Sequence, residues 1–202
     1  MIYSGLDWSG SPGFEPHDPL LVLAIVHFDE QVLPDLGREL AAVRMTLRLR
    51  SNYPFKHLSA SPPVHHHVFA ALSRLAMSAH VHIVDKSTWT KQYIRQSSGP
   101  DRICDGLITP VLGCPDSVVA NQRLFVDLER KDLSVVRNQR TALRQALRGI
   151  GRQPFGNVQP CPDHRLHGGI IQVADMIAGE VREQGGLSGP YLSALGAKIR
   201  IV

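Results

Sequence analysis

Residues 2–10 read Ile2-Tyr3-Ser4-Gly5-Leu6-Asp7-Trp8-Ser9-Gly10, a mostly apolar run that leads into a carboxylate. A second carboxylate, Asp175, lies far along the chain in Ile171-Gln172-Val173-Ala174-Asp175-Met176-Ile177-Ala178-Gly179. The first stretch is typical of a strand that ends at an acid, and the second of a helix that is apolar around its acid. A charge in such surroundings is costly unless something pairs with it, and a metal ion is one such partner.

Length and composition are those of an ordinary globular protein. The 202 residues fit one domain, residues 1–202, and 43% hydrophobic with 20% charged residues argues against disorder. The net charge of +4 favours an anionic partner without requiring one. Three widely spaced cysteines argue against a disulfide framework or a zinc motif. With no signal-peptide pattern and no apolar run long enough to cross a bilayer, we predict a cytoplasmic protein without a membrane partner.

Strand and helix patterns alternate along the chain. Strands are predicted at residues 2–7, 20–28, 53–59, 80–85, 122–129 and 155–159, the last as an edge strand because prolines flank it. Helices are predicted at residues 31–50, 62–78, 101–112, 132–148 and 169–184. This alternation predicts an α/β fold with a mixed sheet covered by helices.

Three acids are prominent by their position in this pattern. Asp7 ends the first strand, Asp127 follows three apolar residues of a later strand, and Asp175 lies in the last helix. Two adjacent central strands and a packed helix can bring such carboxylates within a few ångströms, as hard divalent cations require. Each acid also has a structural explanation: Asp127 could cap a helix, Asp7 could form an Asx-turn, and Asp175 could pair with an arginine.

The two motifs resemble those of a bacterial domain-of-unknown-function family, regarded as ribonuclease H-like. That family has an N-terminal Asp-x-Ser-Gly and a C-terminal Gln-x-Ala-Asp-x-x-Ala-Gly motif, which here read Asp7-Trp8-Ser9-Gly10 and Gln172-Val173-Ala174-Asp175-Met176-Ile177-Ala178-Gly179. The resemblance covers nearly the whole chain, and the C-terminal motif is the more specific. It implies a ribonuclease H-like, five-stranded mixed sheet flanked by helices. It also implies an acidic site from the first strand, a middle strand and the last helix, which Asp7, Asp127 and Asp175 match.

The chain departs from the ribonuclease H-like pattern at one place. Such nucleases commonly add a glutamate from the first long helix after the third strand, yet residues 62–78 contain no acid. Glu129, on the same strand face as Asp127, or Asp163 could substitute as a metal ligand. Family members often carry an acid just before a base in the third strand, whereas Pro54-Phe55-Lys56-His57 supplies only the base. Lys56 could neutralise a phosphate, or it could be a solvated surface lysine.

The histidines offer weaker signals. His65, His66 and His67 are consecutive in a predicted helix, where side chains point about 100° apart, so they cannot chelate one ion together and are predicted at the surface. His80 and His82 share a strand face and could form a ligand pair, although no acid or cysteine is near in sequence. His167, just before the last helix, could shuttle a proton or contact a phosphate, with a plain loop role as the alternative.

A basic stripe gives the only spatial indication of a partner. Four arginines recur at spacings of three and four in the predicted helix 132–148: Arg137, Arg140, Arg144 and Arg148. Such a stripe can follow a phosphate backbone, although a solvated helix face is the commoner outcome.

The sequence therefore predicts a Mg²⁺- or Mn²⁺-dependent nuclease or other phosphodiesterase that acts on nucleic acid. Asp7 would bridge two cations, and Asp127 and Asp175 would each complete one coordination shell. Two alternatives stay open: a non-catalytic ribonuclease H-like module that binds nucleic acid or protein, and a structural partner in a defence or mobile-element system. The sequence decides neither DNA against RNA nor the oligomeric state.

Overall fold

A computed structural model describes residues 1–10, 19–88, 122–126, 141, 158–160 and 168–202. The predicted helix 101–112 lies outside these residues. So does the predicted helix 132–148, except for Thr141, which is helical.

The described strands form one mixed sheet. They are β1 (Ile2–Ser9), β2 (Leu20–Asp29), β3 (Met77–Asp85), β4 (Gln122–Val126), β5 (Val158–Pro160) and β6 (Ile199–Ile201), in the order β5-β4-β1-β2-β3-β6. β2 pairs antiparallel with β1 and β3, and the other pairs are parallel. Strands β1 to β5 are the predicted five-stranded mixed sheet, consistent with a ribonuclease H-like arrangement. The three-residue β6, which the sequence patterns did not predict, extends it beyond β3.

Three helices are described: α1 (Leu33–Thr46), α2 (Pro62–Arg74) and α3 (Gly168–Gln184). Prolines occupy the first turns of α1 and α2, where a missing N–H costs no hydrogen bond. α3 ends at Gly185, whose φ of 67° is the left-handed conformation of a helix C-terminus. None of the helices in the described ranges is long and apolar enough to cross a membrane.

The helices share a core with one face of the sheet. Buried residues of all three helices join alternate residues of the strands in a single apolar cluster, including Tyr3, Val22, Ala24, Val26, Leu40, Val68, Phe125, Ile170, Ala174 and Ile177. Because side chains alternate along a strand, the even-numbered β1 residues point to the opposite face.

The segment 53–59 is not a strand, which corrects the sequence prediction. Pro54 has no N–H, and the N–H groups of Phe55 and His57 donate to side chains of α3 rather than to a strand. Residues His57–Ser59 form a 3-10 turn instead. The predicted helix 62–78 is also shorter than expected and ends at Arg74, because the chain enters β3 at Met77.

A buried polar network lies on the sheet face opposite the three described helices. Ser4 Oγ is 2.8 Å from Nδ1 of His27, and Nε2 of His27 is 3.3 Å from Nδ1 of His80. Burial, with a smaller effect from the charge of His80, lowers the pKa of His27 to about 4. His27 is therefore neutral in the folded protein at neutral pH.

This pKa predicts a loss of stability in mild acid. The unfolded chain takes up a proton at His27 near pH 6.5 but the folded chain only near pH 4. Above pH 6.5 this group therefore does not lower the free energy of unfolding. As the pH drops toward 4, protonation of His27 in the unfolded chain lowers it by up to about 3 kcal/mol. Urea unfolding of wild type and His27→Asn at pH 7.5 and 4.5 measures the difference, with the exposed His66→Asn as the matched control. Equal acid losses in wild type and His27→Asn would contradict the prediction.

Candidate functional site

Asp7 is buried on the helix-facing side of the central strand. Its side chain is 6% exposed, and Oδ1 accepts a hydrogen bond of 2.8 Å from the Trp8 N–H. Two residues earlier, a Cβ on Gly5 would lie 2.7 Å from Ile170 Cγ2, so Gly5 faces α3 directly. Because strand side chains alternate, Asp7 faces α3 as well.

Strand β1 and helix α3 pack against each other along their length. Near the end of β1, a Cβ on Gly10 would lie 3.1 Å from Arg182 Nε. Asp175 precedes Arg182 by seven residues, which is two turns on the same side of the helix and about 10 Å along it. Gly5 meets Ile170 and Gly10 meets Arg182, so β1 and α3 run in the same direction along their contact, and Asp7 and Asp175 both lie between these two points in the sequence.

Strand β4 lies next to β1 in the sheet, as predicted, and runs parallel to it. Leu6 is paired with Val126, the last described residue of β4, and Asp127 is the next residue in the sequence. Of the predicted site residues, the structure describes Asp7, Asp175 and Lys56. The other candidate acids, histidine and arginines lie outside the described residues: Asp127, Glu129, Asp163, His167, Arg137, Arg140, Arg144 and Arg148.

The polar residues of the C-terminal motif hold residues 53–57, a segment we call the strap. Buried Gln172 accepts a 3.1 Å hydrogen bond from the Phe55 N–H. Half-buried Asp175 accepts one of 2.7 Å at Oδ2 from the His57 N–H. Spacings of three and seven residues place Gln172, Asp175 and Gly179 on one side of α3. One oxygen of Asp175 thus has a structural role that the sequence did not reveal.

Arg44 of α1 fixes the other end of the strap. Its Nε donates to the Tyr53 carbonyl at 2.9 Å, and its guanidinium carbon lies 4.5 Å from the centre of the Phe55 ring. Lys56 lies between Phe55 and His57, whose N–H groups are both hydrogen-bonded to α3, and its side chain is exposed. The strap therefore presents a lysine to solvent from a backbone that is held on both sides.

Gly179 makes room for the His57 ring. A Cβ at position 179 would lie 2.1 Å from Cγ of His57, far inside the contact distance of two carbons. The last glycine of the motif is thus explained by the close approach of a histidine to the helix.

His57 belongs to a cluster with His65 of α2 and Glu180 of α3. Oε2 of Glu180 is 3.2 Å from Nδ1 of His65 and 3.4 Å from Nε2 of His57. Glu180 is 1% exposed and His65 is also buried, while Glu183, largely exposed, places Oε2 3.4 Å from His57 Nε2. Within the described ranges, this is the one group of three acidic, histidine or cysteine side chains arranged to hold a metal ion.

Two opposing effects act on His57. Burial, and then the charge of His65, lower its pKa below the ordinary histidine value. The hydrogen bond and charge of Glu180, together with the charge of Glu183, raise it, but by less. His57 is therefore largely neutral at physiological pH, with a ring nitrogen able to act as a ligand.

The surface position predicted for the histidine triplet is wrong for His65. His65 is buried because the helix turns it toward α3, whereas His66 is exposed. The sequence carried one usable signal, since Glu180 stands between the apolar residues Ala178 and Val181 as a second acid inside an apolar helix.

Comparison with known proteins adds no further constraint. No family model matches the chain, and no curated protein is significantly similar to it.

Proposed function

We propose that the chain is a divalent-cation-dependent nuclease or phosphodiesterase whose site includes Asp7 and Asp175. The observation that supports the proposal is that Asp7, a buried carboxylate of the central strand, faces α3, the helix that carries Asp175. Carboxylates on adjacent rigid elements are suitable ligands for Mg²⁺ or Mn²⁺. Asp127 would join them as the third acid.

The side chains at the proposed site are carboxylates, which are suitable ligands for such a cation. Asp7 is a buried carboxylate, and a cation would offset the cost of burying its charge. Bound there, the cation would activate water and stabilise the leaving oxygen of a phosphodiester. The protein contributes fixed ligands: Trp8 orients Asp7 through its N–H, and the His57 N–H orients Asp175.

Positively charged side chains would bind the phosphates of the substrate. Lys56 is exposed on a strap whose neighbour His57 is hydrogen-bonded to Asp175, so its ammonium group could meet a phosphate next to the proposed site. The four arginines of the predicted helix 132–148 would extend this contact along a nucleic-acid backbone, and His167 would add a proton donor or a phosphate contact.

A panel of nucleic acids tests the proposal. Single- and double-stranded DNA and RNA are incubated with the purified full chain in Mg²⁺, in Mn²⁺ and in chelator. We expect cleavage of at least one substrate with either metal and none in chelator. No cleavage of any substrate under all metal conditions would contradict the proposal.

A second candidate is a non-catalytic nucleic-acid or protein binding module of the same fold. It is favoured by the hydrogen bond between Asp175 and the His57 N–H, which shows that this acid has a structural partner of its own. Binding of nucleic acid in the same panel, without cleavage and without metal dependence, would support this alternative.

A further inference from the structure

We propose that His57, His65 and Glu180 form a second metal site, separate from the aspartates, for a divalent transition metal of the Zn²⁺ class. Two histidines and one glutamate are an established ligand set for zinc with an open fourth position. Here they come from three different elements: the 3-10 turn that begins at the last residue of the strap, α2 and α3.

The carboxylate of Glu180 is the first reason for the assignment. The side chain is 1% exposed, and its Oε1 is a buried oxygen with no hydrogen-bond partner among the described residues. A buried, ionised carboxylate is costly unless cationic partners and hydrogen bonds compensate for the lost hydration. A divalent cation within reach of the carboxylate supplies that compensation.

The second reason is that both ring nitrogens of His65 face hydrogen-bond acceptors. Its Nε2 lies 3.3 Å from the carbonyl oxygen of His57, and its Nδ1 lies 3.2 Å from the Glu180 carboxylate. Both neighbours are acceptors, but a neutral imidazole has only one N–H. When His65 is neutral and Nε2 donates to the carbonyl, the Nδ1 lone pair faces the carboxylate, and a metal ion between the two binds both; the metal would then take the place of the second proton of a charged His65. A backbone carbonyl on the far nitrogen is the usual outer partner of a metal-bound histidine.

The distances between donor atoms are the third reason. Ligands about 2.0–2.1 Å from a tetrahedral ion are separated by about 3.3 Å. Oε2 of Glu180 lies 3.2 Å from Nδ1 of His65 and 3.4 Å from Nε2 of His57, and the three donors all lie within 4.8 Å of one another. Small rotations of the three side chains would bring all donor atoms to the spacing of a tetrahedral site.

The fourth position faces a cleft. A cavity of about 340 Å³ is lined by the three ligands together with Glu183 and Tyr191, among others. Glu183 Oε2, 3.4 Å from His57 Nε2, can close the coordination sphere or leave it to water. Because imidazole ligands favour Zn²⁺ and carboxylates favour Mg²⁺ or Mn²⁺, the two proposed sites differ in metal preference.

Metal binding at this cluster would stabilise the strap. A metal at His57 Nε2 fixes the same residue whose N–H donates to Asp175, so the ion would link α2, the strap and α3. The second site therefore has a positioning role toward the acidic site, whether or not that site cleaves nucleic acid.

Titration of the metal-free full chain with Co²⁺ tests the proposal by its visible spectrum. We expect one equivalent to bind with the intense absorption of four-coordinate Co²⁺, to be displaced by Zn²⁺ and to persist in excess Mg²⁺. His65→Asn should weaken binding by more than about 100-fold, beyond the loss typical of outer-shell changes. His66→Asn, the same substitution at the adjacent exposed residue, should leave it unchanged.

Two further variants keep the result interpretable if His65→Asn fails to fold. Glu180→Gln preserves the shape of the side chain and should also remove the four-coordinate spectrum. Asp7→Asn should leave the spectrum intact, which separates this site from the proposed nuclease. Absence of the spectrum in wild type, its survival in Glu180→Gln, or equal losses in His65→Asn and His66→Asn would overturn the assignment.

Discussion

Asp7→Asn is expected to reduce divalent-dependent cleavage by about 10³-fold or more, since a metal ligand contributes several kcal/mol to stabilising the transition state. The amide keeps the shape of the side chain and retains an oxygen that can accept the Trp8 N–H. In the absence of metal the fold should be unaffected or stabilised, because removing one charge relieves repulsion between neighbouring carboxylates. Cleavage rates in Mg²⁺ and melting temperatures with and without Mg²⁺ measure both effects.

Asp35→Asn is the matched control, because it makes the same chemical change on α1, where Asp35 pairs with Arg38 at the surface. It should leave cleavage unchanged and cost little stability. If Asp7→Asn melts far below wild type in the metal-free state, Asp7 is a structural residue and the proposed metal role fails.

The elements with strong periodicity were predictable from the sequence. β1, β2 and α3 were predicted within about two residues at each end, since long apolar patterns and terminal glycines mark them. The edge position of β5 also followed from its flanking prolines. A sheet covered by helices therefore follows from the order and periodicity of the apolar segments, whereas the number of five strands came from the family resemblance.

The contacts between remote segments were not predictable. The strap has the composition of a strand, but Gln172 and Asp175 take the N–H groups that would have paired it. In the sequence His65 is one of three equivalent histidines, and it is buried because it contacts the remote residues His57, Glu180 and Tyr191. Such features depend on which helix faces meet, and local propensity carries no information about that.

Gly5→Ala is expected to cause a large loss of stability, because Gly5 of β1 packs directly against the backbone of α3. A Cβ at position 5 would lie 2.7 Å from Ile170 Cγ2 and 2.9 Å from both the carbonyl carbon and oxygen of Ile170. Rotation of the Ile170 side chain cannot relieve the backbone contacts, so α3 must move away from β1. Overpacking of this kind costs about 1–3 kcal/mol, and we expect the upper end.

This loss corresponds to a fall of roughly 5–10 °C in melting temperature for a chain of this size. Gly37→Ala is the control, because a Cβ at this position on α1 meets nothing within 4 Å. Alanine there should stabilise by up to about 1 kcal/mol through helix propensity. The same substitution should thus have opposite signs at the two sites. A neutral Gly5→Ala would mean that α3 is not held closely against β1, and the proposed pairing of Asp7 with Asp175 would lose the packing that supports it.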